Sequence, residues 1–84
     1  MPKIPAKSAA ERLPGFGAAV QAEREKIGYT VAGLADLVGV GTPTVWKIEQ
    51  GERIPSLPVA VRLASALGVT VDSLVARAAE LAGE

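Results

Sequence analysis

The stretch "GYTVAGLADLVGVGTPTVWKIEQG", residues 28–51, decides the fold because its apolar residues repeat at helical spacing between glycines. Thr30 is a natural N-cap, and the run that follows it predicts a helix over residues 31–38. The predicted buried face of this helix is Leu34, Ala35 and Val38. Gly39 ends the run, since glycine readily adopts the left-handed conformation that closes a helix.

A second helix is expected in the same stretch, with Thr42 as its N-cap and Pro43 at its first helical position. Proline suits that position because the N–H it lacks has no helical acceptor there. Val45 and Ile48 lie three positions apart and face the core, and Gly51 closes the helix. The proline therefore marks the start of a helix and not a break in one.

Three further helices are predicted around this pair from the same kind of spacing. One runs from Phe16 to a stop at Gly28, and another covers residues 57–67 behind the cap Ser56. The last covers residues 71 to about 81. On the helix over 57–67, the expected apolar face is Leu57, Val61, Leu63, Ala64 and Leu67. The sequence thus predicts an all-α fold of five short helices without strands.

Composition supports one small helical domain and excludes several kinds of chemistry. Of 84 residues, 49% are hydrophobic but only 4% are aromatic, so Ala, Val and Leu must fill a closely packed core. The chain has no cysteine and no histidine, which excludes disulfides, thiolate zinc sites and the usual proton shuttle. We expect no catalytic residues, no metal and no cofactor. Without a long apolar run or a secretory signal, a cytoplasmic location without membrane contact is expected.

Two short helices joined by a glycine-containing turn are the arrangement of a helix-turn-helix unit. Residues 16 to about 75 resemble the XRE or Cro and phage-repressor type of helix-turn-helix domain. The stretches that carry this resemblance are "AEREKIGYTVAGLADLVGV", "TVWKIEQGERIPSL" and "RLASALGVTVDSL". It implies a compact five-helix, lambda-repressor-like bundle, in which helices 2 and 3 form the unit and helix 3 enters the major groove of double-stranded DNA.

The resemblance also implies residue roles. It predicts a partly buried structural salt bridge between Arg24 and Glu49. Val31 stands where many members carry a glutamine that touches a phosphate, so a backbone N–H would have to make that contact. The other predicted DNA-binding residues lie on helix 3 or follow it: Thr42, Pro43, Thr44, Trp46, Lys47 and Arg53.

Several of these residues allow two interpretations. Pro43 replaces the usual polar reader and meets only apolar base edges, such as a thymine methyl, whereas Lys47 reaches guanine or a phosphate. Trp46 either covers a seam between helices or lies at the rim of the DNA face. Arg53 either contacts the DNA backbone or is solvated.

Charge is balanced overall, with nine Lys and Arg against nine Asp and Glu, but it is unevenly placed. Residues 1–14 carry Lys3, Lys7 and Arg12 against Glu11 alone. We interpret them as a flexible basic arm that precedes a helix-turn-helix domain over residues 15–82. The arm is either a solvated tail or a segment that contacts DNA through its lysines.

Proteins with this motif usually bind as two-fold dimers, and the last helix has more apolar surface than one edge of a small core needs. The predicted homodimer interface is Val75, Ala78 and Leu81. We therefore expect a sequence-specific transcriptional regulator, acting as a repressor at an operator. A phage repressor, a restriction-modification controller and an antitoxin-like regulator all fit. The alternative is a protein-interaction module, in which the same face meets a protein partner.

Overall fold

The computed structural model of the protein describes residues 15–81, which form five α-helices and no strand. The all-α fold predicted from the sequence is confirmed. The helices are α1 (Phe16–Ile27), α2 (Val31–Val38), α3 (Thr42–Glu49), α4 (Leu57–Leu67) and α5 (Val71–Leu81). The predicted arm over residues 1–14, with Lys3 and Lys7, lies outside the described residues.

Hydroxyl side chains fix the start of three helices. The Thr30 Oγ1 atom accepts a hydrogen bond of 2.9 Å from the Gly33 N–H at the start of α2, and Ser56 caps α4 in the same way. At α5 the cap is reciprocal, because Thr70 Oγ1 accepts from the Ser73 N–H while Ser73 Oγ accepts from the Thr70 N–H. These local bonds satisfy amides that would otherwise have no partner at a helix end.

The start of α3 differs by one residue from the prediction. Gly41, and not Thr42, is the N-cap, with an extended backbone (φ −74°, ψ 151°) and no side-chain capping bond. The helical hydrogen bonds begin there because the Gly41 carbonyl accepts from the Thr44 and Val45 N–H groups. Thr42 is thus the first helical residue and Pro43 the second, which leaves the Thr42 hydroxyl outside any cap.

The core is built from small aliphatic side chains, as the low aromatic content requires. Helix α1 packs against α3, α4 and α5, while α2 packs against α3 and α4, so α3 is held between the first two helices. The buried apolar residues are Phe16, Ala19, Val20, Leu34, Ala35, Val38, Val45, Ile48, Ala60, Leu63, Ala64, Leu67, Leu74 and Ala78.

The predicted apolar face of α4 is wrong at its N-terminal end. Leu57 is 73% exposed and Val61 is also exposed. The helix is rotated so that Ala60 and Leu63 enter the core. Ala64 and Leu67, one turn later, are buried with them.

Ala78 is a further correction. It was predicted to face a partner subunit, but only 4% of it is exposed and it belongs to the core. Leu74 and Ala78 are four positions apart and form the buried stripe of α5. Val75 and Leu81 lie on opposite flanks of that stripe and remain 44% and 45% exposed.

The turn between α4 and α5 sets the direction of the last helix. Gly68 ends α4 with a φ of 72°, a left-handed value that favours glycine. No single helix within residues 15–81 is long and apolar enough to cross a membrane. Helices α4 and α5 reach that length and composition only together, and they are bent by 91° at this turn.

Candidate nucleic-acid interface

Helix α3 is anchored by its inner face. Val45 and Ile48, three positions apart, are buried against the neighbouring helices. Burying aliphatic side chains of this size contributes about 1.5–3 kcal/mol each relative to leaving them exposed. The inner face therefore fixes which residues of α3 point outward.

The end of α3 is tied to α1 by the pair Arg24 and Glu49. Arg24 Nε donates to Glu49 Oε2 at 2.7 Å and its second terminal nitrogen donates to Glu49 Oε1 at 3.0 Å. The remaining terminal nitrogen of Arg24 donates to the Tyr29 carbonyl at 2.8 Å. The hydrogen bond to Glu49 raises the pKa of the Arg24 guanidinium, against the opposing effect of burial. One side chain thus joins α1, the link to α2 and the end of α3.

A glycine on α1 lets the two helices meet. A Cβ placed at Gly17 would collide with the Ile48 carbonyl oxygen and lie 2.7 Å from the Glu49 carbonyl oxygen. Any larger residue at this position would push the end of α3 away from α1. Gly17 is a positioning residue that we did not identify from the sequence, since its helix shows no glycine-specific pattern.

The outer face of α3 is exposed to solvent, and we call it the α3 face. Its exposed residues are Thr42, Pro43, Trp46, Lys47 and Gln50. Thr44, also predicted to contact DNA, is half-buried at the edge. Gln50 was not among the predicted site residues, although its position seven residues after Pro43 places it on the same side of the helix.

The half-exposed indole of Trp46 is the largest side chain of the α3 face. Its exposure is 49%, and it lies beside Lys47 near the middle of the helix. Large aromatic side chains are usually more buried than this. Half of this side chain is therefore available to a binding partner.

Few backbone amides are free at this end of the molecule. At α3, Pro43 has no N–H, and the Thr44 N–H donates to the Gly41 carbonyl. The Thr42 N–H has no acceptor among the described residues. At the start of α2, the Val31 N–H likewise has none within residues 15–81. The Val31 side chain is half-buried against the core, and its backbone N–H is the polar group that it can offer to a ligand.

Cationic charge near the α3 face is sparse. Lys47 lies on it, and Arg53 is exposed in the connection from α3 to α4. Within residues 15–81, ion pairs form only around Arg24, so neither of these two cations is neutralised by a described carboxylate. The same part of the chain has six basic and seven acidic side chains, so attraction to an anion is local to these residues.

The fold and this face define a class of protein. The sequence model of the family described as "Helix-turn-helix domain" matches residues 16–81. The chain therefore belongs to the helix-turn-helix domain family, and the XRE and phage-repressor type inferred from the sequence is confirmed.

Three proteins show the extent of the similarity. The cryptic phage CTXphi transcriptional repressor RstR of Vibrio cholerae is 35% identical over 55 residues, which are 66% of this chain and 49% of the repressor. The chain thus spans about half the length of that relative. The restriction-modification controller protein C.AhdI from Aeromonas hydrophila has a TM-score of 0.71 at 31% identity, covering 76% of this chain and 97% of its own. The clp gene regulator ClgR from Corynebacterium glutamicum has a TM-score of 0.82 at 25% identity, covering 86% and 77% respectively.

Proposed function

We propose that this protein is a sequence-specific, double-stranded DNA-binding regulator of transcription that represses by occupying an operator. The observation that carries the proposal is the α3 face, an exposed helix surface that Val45, Ile48 and the Arg24–Glu49 pair hold rigidly on its inner side. The major groove of B-DNA is wide enough to admit an α-helix held in this way. The transcriptional regulators among the similar proteins support the same function.

Each part of the surface has a role in this proposal. The free amide at Val31 and the guanidinium of Arg53 contact phosphates and set the position of the protein on the duplex. Thr42 and Gln50 offer hydrogen bonds to base edges, and Lys47 offers a positive charge. Phosphate contacts fix the register, and base contacts specify the sequence.

The proposal includes a homodimer. A single helix reads only a few base pairs, and a two-fold pair of such helices about 34 Å apart reads two half-sites. Val75 and Leu81 on the flanks of α5 supply exposed apolar surface for that contact. The predicted dimer residue Ala78 takes no part, because it is used by the core.

We further propose that the protein acts in the cytoplasm, by binding alone and with neither a catalysed reaction nor a cofactor. What supports this is the naming of the similar proteins as regulators and repressors. Occupying an operator requires affinity and geometry, and no bond need be made or broken. The arm over residues 1–14 belongs to the proposal as a further contact through Lys3 and Lys7.

The experiment that tests this function is a titration against random duplex DNA at several salt concentrations. Counting Lys47 and Arg53 alone from each copy of a dimer, four phosphates are neutralised, which predicts a log–log slope of about −3.6, and phosphate contacts of Lys3 and Lys7 would make it steeper. Affinity should then fall roughly 150-fold between about 50 and 200 mM salt. Absence of duplex binding at the lowest salt would contradict the function.

A protein-interaction module is the second candidate, favoured by the exposed apolar surface. Eight large apolar side chains within residues 15–81 are exposed, among them Trp46 and Leu57. The balanced charge of the chain also suits a protein partner as well as it suits DNA. The same titration separates the two candidates, because a module of this kind would show little or no duplex binding at any salt concentration.

A further inference from the structure

We propose, building on the DNA-binding function above, that Pro43 and Trp46 recognise the methyl groups of thymines, so that thymine opposite α3 determines the specificity of the site. Both residues are exposed on the α3 face and lie three positions apart, which places them side by side on one helix surface. Neither carries a charge. Pro43 offers no hydrogen bond and Trp46 offers only its indole N–H, so the partner that the two rings fit is an apolar group on a base edge.

The first turn of α3 has little capacity for hydrogen bonding to a base. Pro43 has neither an N–H nor a polar side-chain atom, and the N–H groups of Thr44 and Val45 are directed to the Gly41 carbonyl, at 3.0 and 3.4 Å. What remains is the amide of Thr42 and the hydroxyl groups of Thr42 and the half-buried Thr44. A base edge that needs several partners would lose hydrogen bonds to water here without replacing them.

The apolar surface of the same turn is large by comparison. Pro43 is exposed, Trp46 three positions later is 49% exposed, and the exposed Thr42 adds a methyl group. In the major groove, the C5-methyl of thymine is the one apolar group that distinguishes a base pair by its edge. Apolar side chains on a helix in that groove select for it.

Lys47 provides the matched comparison because it lies next to Trp46 on the same face. Its ammonium group contacts guanine or a phosphate, and neither contact depends on a thymine methyl. Removing Lys47 weakens binding and leaves any preference for thymine unchanged, whereas removing Trp46 or Pro43 removes that preference. The two effects are separable in one experiment.

The test begins with a duplex selected by the wild-type protein from a random pool. Each thymine in it is then replaced singly by deoxyuridine, which pairs identically but lacks the C5-methyl group. Burial of one methyl group predicts about four-fold weaker binding at each contacted thymine. The same replacement outside the protected region serves as the control and should have no effect.

Variants assign the effect to residues. For Trp46→Ala and for Pro43→Ala, the ratio of thymine to deoxyuridine affinity should fall to about one at one contacted position in each half-site. For Lys47→Ala, overall binding should weaken while that ratio stays at the wild-type value.

The wild-type result decides the inference even if a variant does not fold. Equal affinity for the thymine and deoxyuridine duplexes at every position would overturn it and leave the DNA-binding function intact. Absence of binding to any duplex would instead overturn the proposed function on which the inference rests.

Discussion

Arg24 on α1 and Glu49 at the end of α3 are 25 positions apart in the sequence, and two hydrogen bonds of 2.7 and 3.0 Å join their side chains. Only 11% of the Arg24 side chain and 3% of the Glu49 side chain are exposed. A pair shielded from solvent to this degree is costly to break, since the remaining charge stays buried without a partner.

The first prediction concerns this pair. Glu49→Gln or Arg24→Met should each lower the free energy of unfolding by about 3–5 kcal/mol. The double variant should cost less than the sum of the two, because it leaves no buried charge alone. Thermal or denaturant unfolding of all four proteins measures the coupling.

Glu25 supplies the control for that cycle. Its carboxylate is exposed and lies 3.9 Å from Arg24. Glu25→Gln should therefore change stability by less than about 1 kcal/mol. A cycle showing no coupling between Arg24 and Glu49 would remove their proposed structural role.

The second prediction is that Gly17→Ala destabilises the protein, although alanine favours a helix over glycine by about 1 kcal/mol. The added Cβ would meet the carbonyl oxygens of Ile48 and Glu49, which are backbone atoms that cannot rotate away. We expect a net loss of about 1–3 kcal/mol in unfolding free energy, as for other overpacked sites.

Gly33 on α2 provides the control for Gly17, because it is also a glycine within a helix. A Cβ there would meet only the Thr30 hydroxyl, at 3.1 Å. Gly33→Ala should remain within about 1 kcal/mol of the wild type. Equal stability of the Gly17→Ala and wild-type proteins would contradict this prediction and limit the steric cost to the roughly 1 kcal/mol that alanine gains in a helix.

The sequence was sufficient to predict the structural features that depend on local chemistry. The cap at Thr30 follows from the hydroxyl and the glycines that flank the apolar run. The core positions Val45 and Ile48 follow from helical spacing. The apposition of Arg24 and Glu49 came from the family resemblance, because residues so far apart leave no mark in a periodic pattern.

The rotation of each helix about its axis could not be predicted in this way. On α5 the apolar residues form a broad stripe, and only packing against α1 decides that Ala78 enters the core while Val75 and Leu81 flank it. On α4 the same effect leaves Leu57 in solvent. Periodicity identifies the apolar side of a helix, but tertiary contacts select its centre.

The third prediction is that Val75→Glu combined with Leu81→Glu converts a dimer into a folded monomer. Both residues are exposed, so the new charges would disrupt an intermolecular contact without entering the core. Analytical ultracentrifugation measures the mass, and circular dichroism confirms that the helices remain.

Two further variants control for that result. Ser65→Glu adds charge on α4 in a groove that Ser65 lines with Leu37 and Arg62 and no residue of α5, and it should leave the dimer intact. Ala78→Glu should unfold the protein, because it buries a charge. A wild-type protein that is monomeric at high concentration would contradict the proposed dimer.

The fourth prediction is that Trp46→Ala weakens DNA binding several-fold while the melting temperature changes little. About half of the side chain is in solvent, so its truncation removes more contact with DNA than with the core. Leu37→Ala, at a residue of α2 that lines a groove with Arg62 and Ser65, is the control and should leave binding unchanged. If Trp46→Ala melts far lower yet binds DNA normally when folded, the tryptophan covers a seam between helices instead.

The last prediction uses salt dependence to count the copies of the protein on DNA. Each phosphate contact contributes about 0.9 to the log–log slope of affinity against salt. Lys47→Ala should therefore reduce the slope by about 0.9 if one copy binds and by about 1.8 if a symmetric dimer binds. Arg77→Ala removes an equal charge from α5, where Arg77 lines a groove with Glu23 and Glu80, and should leave the slope unchanged.

A slope that stays at the wild-type value for Lys47→Ala would place this lysine away from the phosphates, so that it either contacts a base or does not reach the duplex. Affinity for duplexes with and without guanine in the protected region then distinguishes those two positions, since a base contact of Lys47 is made to guanine.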